Sequence, residues 1–145
     1  GVGATWMTRE DREHEIVDQI AYLDALLDHL LPAASSSHVR LCVLGFSQGV
    51  ATATRWLVRG GRVRADEVVL WAGSVPADVD PSNLAGRLAG APVVFAVGTR
   101  DELASWAAAD VEVARFNAAG IQARLVTFNG GHRLDTPTLT DIASR

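Results

Sequence analysis

Ser47 lies at the centre of a pentapeptide that could build a catalytic nucleophile. Residues 45–49 read Gly-Phe-Ser-Gln-Gly, the pattern G-x-S-x-G, with an apolar run before them and a helical pattern after them. A serine hydroxyl is a weak nucleophile at neutral pH, so it must be held exposed beside a base, and a sharp strand-to-helix turn does this. The same turn directs the backbone N–H of Gln48 toward a developing oxyanion. The motif therefore predicts Ser47 as nucleophile and Gln48 as oxyanion donor, although a glycine-rich turn without chemistry remains the alternative.

Asp101 and His132 follow two later apolar runs that have the length of strands. Asp101 comes just after residues 92–97, and His132 comes just after residues 122–128. The carboxyl ends of parallel strands share one edge of a sheet, where ligand sites form. The chain order Ser, Asp, His is also the order expected for a nucleophile on a strand-to-helix turn. We therefore predict that His132 is the general base and that Asp101 orients its imidazole.

Each of these side chains also has a purely structural interpretation. Asp101 could cap a helix that begins near Leu103, and His132 could be an ordinary loop residue after two glycines. Cys42, inside an apolar run, is expected to pack in the core. Other ionisable residues are weaker candidates: the rival carboxylates Asp78, Asp80 and Asp135, and the histidines His14, His29 and His38, which are expected to face solvent.

The elements that must position these residues alternate between helix and strand along the whole chain. This alternation favours one α/β domain, residues 1–145, with a parallel sheet of about four strands flanked by helices. Apolar residues spaced by three and four predict a first helix over 8–31, with a capping box at Thr8 and Asp11. The run 39–46 is apolar enough to be a strand covered by helices on both faces. The other predicted strands are 68–71, 92–97 and 122–128, and the other helical segments are 48–59, 83–88, 103–118 and 137–144.

Composition and charge exclude several classes of protein. The 145 residues are 48% hydrophobic and 21% charged, which excludes a disordered chain. The net charge is −4, the 13 basic residues are all Arg, and no nucleotide-binding glycine motif occurs, so we expect neither a nucleic-acid nor a nucleotide partner. The single cysteine excludes an internal disulfide and a multi-cysteine metal site, and it favours a cytoplasmic location. No apolar run approaches the roughly 18 residues of a membrane span, and no signal-peptide pattern is seen.

Three short peptides resemble a known family. The peptide at 45–49, Gly-Thr-Arg-Asp at 98–101 and Gly-Gly-His at 130–132, with Ala-Thr-Trp at 4–6, are similar to the α/β-hydrolase fold. Within that fold the similarity is to the phospholipase/carboxylesterase family, which includes acyl-protein thioesterases and bacterial carboxylesterases, and it covers nearly the whole chain. The resemblance implies hydrolysis of ester or thioester bonds without metal or cofactor. It also implies a triad of Ser47, Asp101 and His132, with one oxyanion N–H from Gln48.

The chain departs from this family in one respect. Such hydrolases carry further strands ahead of the nucleophile strand, and a His-Gly-rich loop among them supplies a second oxyanion donor. Those segments would precede Gly1. An open edge on the 39–46 strand would also invite pairing, because unpaired backbone groups of an apolar strand bind other strands. We therefore expect either that residues 1–145 are the carboxyl-terminal part of a longer hydrolase domain, or that another chain or segment covers this edge.

The leading functional hypothesis is a serine carboxylesterase or thioesterase that forms an acyl-enzyme on Ser47 and acts on a small-molecule ester or thioester. An acyltransferase with the same triad, and a hydrolase-like module that binds without catalysis, are the alternatives, because fold does not fix function. Apolar residues near predicted strand ends could wall the substrate pocket, although aromatic residues of a small domain are commonly core. The predicted pocket residues are Trp6, Trp71, Val75 and Leu103, with Trp106 as a further candidate.

Overall fold

The computed structural model describes residues 11–31 and 39–144, in which helices and parallel strands alternate. The strands form one four-stranded parallel sheet in the order β1-β2-β3-β4, which confirms the predicted fold class. Phe46, Trp71, Ala96 and Val126 are paired in register across it, so the loops that follow the strands open at one edge. The elements are α1 (Arg12–Leu30), β1 (Cys42–Phe46), α2 (Gln48–Arg59), β2 (Glu67–Trp71), α3 (Pro81–Leu88), β3 (Val93–Gly98), α4 (Trp106–Ala118), β4 (Ala123–Phe128) and α5 (Thr136–Ala143).

The two faces of the sheet are packed by different helices. Buried residues of α1, α2, α3 and α4 form one apolar cluster with one face, while α5 contributes Ile142 to a smaller cluster on the other. Phe95 of β3 and Phe116 of α4 meet edge to face, with ring centroids 5.0 Å apart. The strands β2 and β3 are buried along their whole length, as strands covered on both faces should be.

The helix α1 illustrates how a surface helix is attached to this core. Ile16, Ile20 and Leu27 are buried, and the indole N–H of Trp56 in α2 donates to Asp24 at 2.9 Å. The other side of α1 carries many charged residues, as expected of an amphipathic helix. Among the residues that the structure describes, no helix is long and apolar enough to cross a membrane.

The strand β1 lies at the edge of the sheet that the described residues form. It begins at Cys42, later than predicted, and its alternate side chains differ in environment: Val43 is buried, whereas Cys42 and Leu44 are exposed, Leu44 by 38%. Two predictions are therefore wrong for the described chain, namely that this strand is covered on both faces and that Cys42 packs in the core. The physical reason is the period of two in a strand, which turns Cys42 and Leu44 toward solvent on the opposite side from Val43.

Helix boundaries differ from the predicted ones where capping side chains act. The helix α3 begins at Pro81 because the Asp80 carboxylate accepts a backbone N–H of its first turn, so it is longer than predicted. The helix α4 begins at Trp106, later than predicted, because Ser105 caps it. The start of the predicted first helix, including Thr8, lies outside the described residues.

Candidate active site

Ser47 occupies a strained turn between β1 and α2. Its backbone has φ 55° and ψ −118°, which is unusual for a residue with a side chain. The N–H of Ser47 donates to the carbonyl of Trp71 at 2.8 Å, and the carbonyl of Ser47 accepts the N–H of Val50 at 3.1 Å. Such strain persists only where surrounding contacts hold it, and it is concentrated at functional sites. The chain therefore folds locally as the G-x-S-x-G motif predicts.

Two glycines let neighbouring backbone approach this turn. A Cβ on Gly45 would lie 2.4 Å from the carbonyl oxygen of Gly49, and a Cβ on Gly73 would lie 2.2 Å from that of Ser47. By contrast, a Cβ on Gly49 itself would meet nothing within 4 Å. The turn thus requires glycine at 45 and 73, whereas the described structure gives no steric reason for the second glycine of the motif. The role of Gly73 was not predicted, although its place directly after a predicted strand was a usable signal.

The structure brings Ser47, His132 and Asp101 into one hydrogen-bonded row. His132 Nε2 lies 3.0 Å from Ser47 Oγ, and His132 Nδ1 lies 2.9 Å from Asp101 Oδ2. With the proton on Nδ1, which the contact to a carboxylate favours, the histidine donates to Asp101 and leaves Nε2 free to accept the serine proton. The imidazole is 22% exposed and the Asp101 side chain is fully buried. This geometry allows proton transfer from the Ser47 hydroxyl to His132.

The two carboxylate oxygens of Asp101 have different partners. Its Oδ2 contacts His132, while its Oδ1 accepts the N–H groups of Leu103 at 2.8 Å and Ala104 at 2.9 Å. Burial alone would raise the pKa of this carboxyl, but the hydrogen bonds from His132, Ala104 and Leu103 outweigh it and hold the pKa below its ordinary value. Asp101 is therefore ionised at neutral pH, and Ser105, not Asp101, is the cap of α4.

A second set of contacts fixes the loop that carries His132. The Phe46 ring lies 5.1 Å from the imidazole, centroid to centroid. Trp71 is fully buried, packs 5.6 Å from the Phe128 ring, and donates its indole N–H to the carbonyl of Arg133 at 2.9 Å. Trp71, which was predicted to wall a substrate pocket, is thus a core residue that holds the loop beside His132. The physical reason is its position in β2, an interior strand with no open face.

The rival carboxylates have other partners. Asp78 accepts two hydrogen bonds from the buried Arg55, at 2.9 and 2.8 Å. This hydrogen bonding holds the pKa of the Asp78 carboxyl below its ordinary value. Asp80 and Asp135 cap α3 and α5. Among the described carboxylates, Asp101 is the one that hydrogen-bonds to His132.

The other two described histidines are exposed. His14 and His29 are exposed on α1, as predicted, and His38 lies outside the described residues. Within 11–31 and 39–144, no group of three or more His, Cys, Asp or Glu side chains is arranged to hold a metal ion.

Gln48 is the first residue of α2 and follows the nucleophile directly. The first N–H groups of a helix have no partner within it, and the helix dipole places partial positive charge there. The Gln48 N–H is thus one of the first donors of α2, and its role toward an oxyanion stays a prediction.

A cavity of about 510 Å³ lies between the carboxyl ends of β2 and β3 and the first half of α4. Val75 and Leu103, two of the predicted pocket residues, line it, whereas Trp71 and Trp106 do not. Trp6 lies outside the described residues. Gly73 also lines the cavity, whereas Ser47, Asp101 and His132 do not.

The chain is similar in fold to several solved structures, although its sequence matches no family model or curated protein. Among solved structures, acyl-protein thioesterase 2 of Zea mays is similar with a TM-score of 0.71 at 19% identity, over 90% of this chain and 63% of that one. The Bacillus cereus carboxylesterase gives 0.66 at 22% identity (91% and 60%), and Arabidopsis thaliana SOBER1 gives 0.66 at 18% identity (91% and 63%). The chain spans less than two thirds of the length of each of these three proteins.

These similarities confirm the expected resemblance at the level of the fold. The chain therefore has the α/β-hydrolase fold, in the form found in carboxylesterases and acyl-protein thioesterases.

Proposed function

We propose that this chain carries the acyl-transfer site of a serine esterase or thioesterase, with Ser47 as nucleophile, His132 as base and Asp101 as its orienting partner. The observation that carries the proposal is the row in which His132 contacts the serine hydroxyl at 3.0 Å and the carboxylate at 2.9 Å. The strained turn at Ser47 and the fold shared with solved esterases and thioesterases support the same class of reaction.

The proposed reaction has two halves. In the first, Ser47 Oγ bonds to the substrate carbonyl carbon while its proton passes to His132 Nε2, and the proton then passes to the departing alcohol or thiol. In the second, His132 takes a proton from water, the resulting hydroxide attacks the acyl-serine, and the acid leaves as Ser47 recovers its proton. Asp101 stabilises the imidazolium in both halves, and the Gln48 N–H stabilises the oxyanion.

We further propose that a strand from outside the described residues pairs with β1 and that a loop beside it provides the second oxyanion donor. The exposed Leu44 and Cys42 and the edge position of β1 support this, since an apolar parallel edge is rarely left open. The greater length of the solved relatives supports it as well. Without a second donor the rate should be lower by about 10²- to 10³-fold.

The decisive experiment is intact-mass spectrometry before and after treatment with a fluorophosphonate, a reagent that phosphonylates activated serines. A single adduct is expected, which should be absent in Ser47→Ala and present in the control Ser82→Ala, whose serine lies exposed on α3. An unlabelled wild-type protein that is correctly folded by circular dichroism would refute an activated serine and favour a binding module.

The same protein can distinguish hydrolysis from acyl transfer. Incubation with an activated ester and an added alcohol should yield the free acid as main product if water is the normal acceptor. A predominance of the transferred ester would instead support an acyltransferase that uses the same acyl-enzyme.

A further inference from the structure

The loop that carries His132 is tied at its start to the segment that carries Asp101. We call residues 130–133 the base loop. The carbonyl of Gly130 accepts the backbone N–H of Arg100 at 3.0 Å, and Arg100 directly precedes Asp101 in the chain. A second contact joins the same two segments, because His132 Nδ1 lies 2.9 Å from Asp101 Oδ2. These two contacts fix the imidazole relative to its carboxylate partner.

The end of the base loop is tied to the nucleophile through Trp71. The indole N–H of Trp71 donates to the carbonyl of Arg133, the residue after His132, at 2.9 Å. The main-chain carbonyl of Trp71 accepts the backbone N–H of Ser47 at 2.8 Å. A single residue of β2 therefore holds the base loop with its side chain and the nucleophile turn with its main chain.

Trp71 is itself held in place by its surroundings. Its side chain is fully buried, and its ring packs 5.6 Å from that of Phe128. The next residue, Ala72, has φ 54°, and a Cβ on Gly73 would lie 2.2 Å from the carbonyl oxygen of Ser47. A strained backbone conformation persists only where the surrounding contacts impose it. The segment from Trp71 to Gly73 is therefore a rigid support against which the Ser47 turn packs.

We propose that Trp71 is a positioning residue that sets the separation of Ser47 and His132. The inference rests on the proposed function of Ser47. Trp71 governs the 3.0 Å contact between Ser47 Oγ and His132 Nε2, whereas the contacts at the start of the base loop govern the distance between His132 and Asp101. Because Trp71 is buried and does not line the cavity beside α4, it acts on the rate of proton transfer and not on substrate binding.

The substitution Trp71→Phe removes the indole N–H and keeps an aromatic ring beside Phe128. We expect kcat for nitrophenyl butyrate and the rate of fluorophosphonate labelling to fall by about 10- to 100-fold, because reacting groups lose rate steeply when they are misplaced. KM should stay within about twofold of wild type, since substrate binding is not altered. If Trp71→Phe does not fold, 3-benzothienylalanine at position 71 should give the same result, because it keeps the bicyclic shape and replaces only the N–H by sulfur.

The matched control is Trp56→Phe. The indole N–H of Trp56 donates to Asp24 at 2.9 Å, so this substitution breaks the same kind of hydrogen bond between α2 and α1. Trp56 lies roughly 12 Å along α2 from its first residue, at about 1.5 Å per residue. Labelling of Trp56→Phe should therefore stay within about twofold of wild type, since distant sites act independently. A fall of equal size in both variants would overturn the inference, because it would reflect lost stability alone.

Crystal structures of wild type and Trp71→Phe separate this inference from the proposed function. We expect the distance between Ser47 Oγ and His132 Nε2 to lengthen beyond hydrogen-bond range in the variant. The distance between His132 Nδ1 and Asp101 Oδ2 should stay near 2.9 Å. An unchanged serine–histidine distance, or an equal lengthening of both distances, would overturn the inference.

The labelling results divide in the same way. Equal labelling rates of wild type and Trp71→Phe would overturn the inference alone and leave the proposed function standing. Absence of labelling in wild type, together with the expected change of distance in the variant, would overturn the proposed function and leave the positioning role of Trp71 standing.

Discussion

Replacement of Asp101 by Asn tests the role of the buried carboxylate with little change of shape. The amide oxygen of Asn can still accept the N–H groups of Leu103 and Ala104, which contact Asp101 Oδ1 at 2.8 and 2.9 Å. The amide nitrogen then faces His132 Nδ1, where the carboxylate oxygen lies at 2.9 Å. Two donors cannot share this contact, so the imidazole proton must move to Nε2, and His132 can no longer accept the proton of Ser47.

The expected loss in kcat is about 10⁴-fold, the size found when the same change is made in a serine protease triad. That loss equals roughly 5.4 kcal/mol of transition-state stabilisation. Hydrolysis of nitrophenyl butyrate and the rate of fluorophosphonate labelling would both measure it. The matched control is Asp80→Asn, which alters a carboxylate that caps α3 and accepts the N–H of Ser82. We expect the control to retain activity within a few-fold.

The stability of the same variant should depend on pH in a defined direction. Because the folded pKa of Asp101 is held below its ordinary value, the ionised group stabilises the native state above about pH 4 and loses this effect as the pH falls. The difference in free energy of unfolding between wild type and Asp101→Asn should therefore shrink on acidification below about pH 4.

If Asp101→Asn keeps its activity within tenfold of wild type while folding normally, the assignment of Asp101 to His132 is refuted.

Two further predictions concern the turn and the sheet edge. Gly45→Ala should lower the free energy of unfolding by about 1–3 kcal/mol and slow the labelling of Ser47, because the added Cβ meets the backbone of Gly49. Gly49→Ala should leave the labelling unchanged and leave the stability unchanged or slightly higher. Equal effects of the two substitutions in thermal unfolding would contradict this steric argument. Leu44→Lys should raise the monomer fraction of the 145-residue chain in size-exclusion chromatography, because a charge on an open edge strand opposes strand pairing. Increased aggregation of this variant would show that β1 is not an open edge.

The local features of the site could be predicted from the sequence with few errors. The alternation of apolar runs and helical patterns predicted each strand of the sheet to within a few residues, and the strand-to-helix turn at Ser47 followed from five consecutive residues. These features depend on interactions between neighbours along the chain, so a sequence pattern carries them directly. The helix starts were less accurate, because caps such as Asp80 and Ser105 act one side chain at a time.

The burial of individual side chains in the strands could not be predicted in this way. The run that became β1 is as apolar as an interior strand, yet it lies at the edge and exposes Leu44 and Cys42. Similarly, Trp71 is an aromatic residue near a strand end and was predicted to line a pocket. It lies instead in the interior strand β2, where its indole N–H donates to the loop of His132. Burial depends on which elements cover a residue, and that information lies in distant parts of the chain.

What the sequence determined by itself is the set of reactive side chains and the turn that exposes one of them. Only the tertiary structure decided which carboxylate meets which histidine, because Ser47 and His132 are 85 residues apart and Asp101 and His132 are 31 apart. Parallel pairing of the strands brings their carboxyl ends to one edge of the sheet. Residues that are distant in sequence therefore lie within hydrogen-bond distance of one another there. The same packing of α4 on the sheet forms the cavity, a feature that no local pattern of residues reveals.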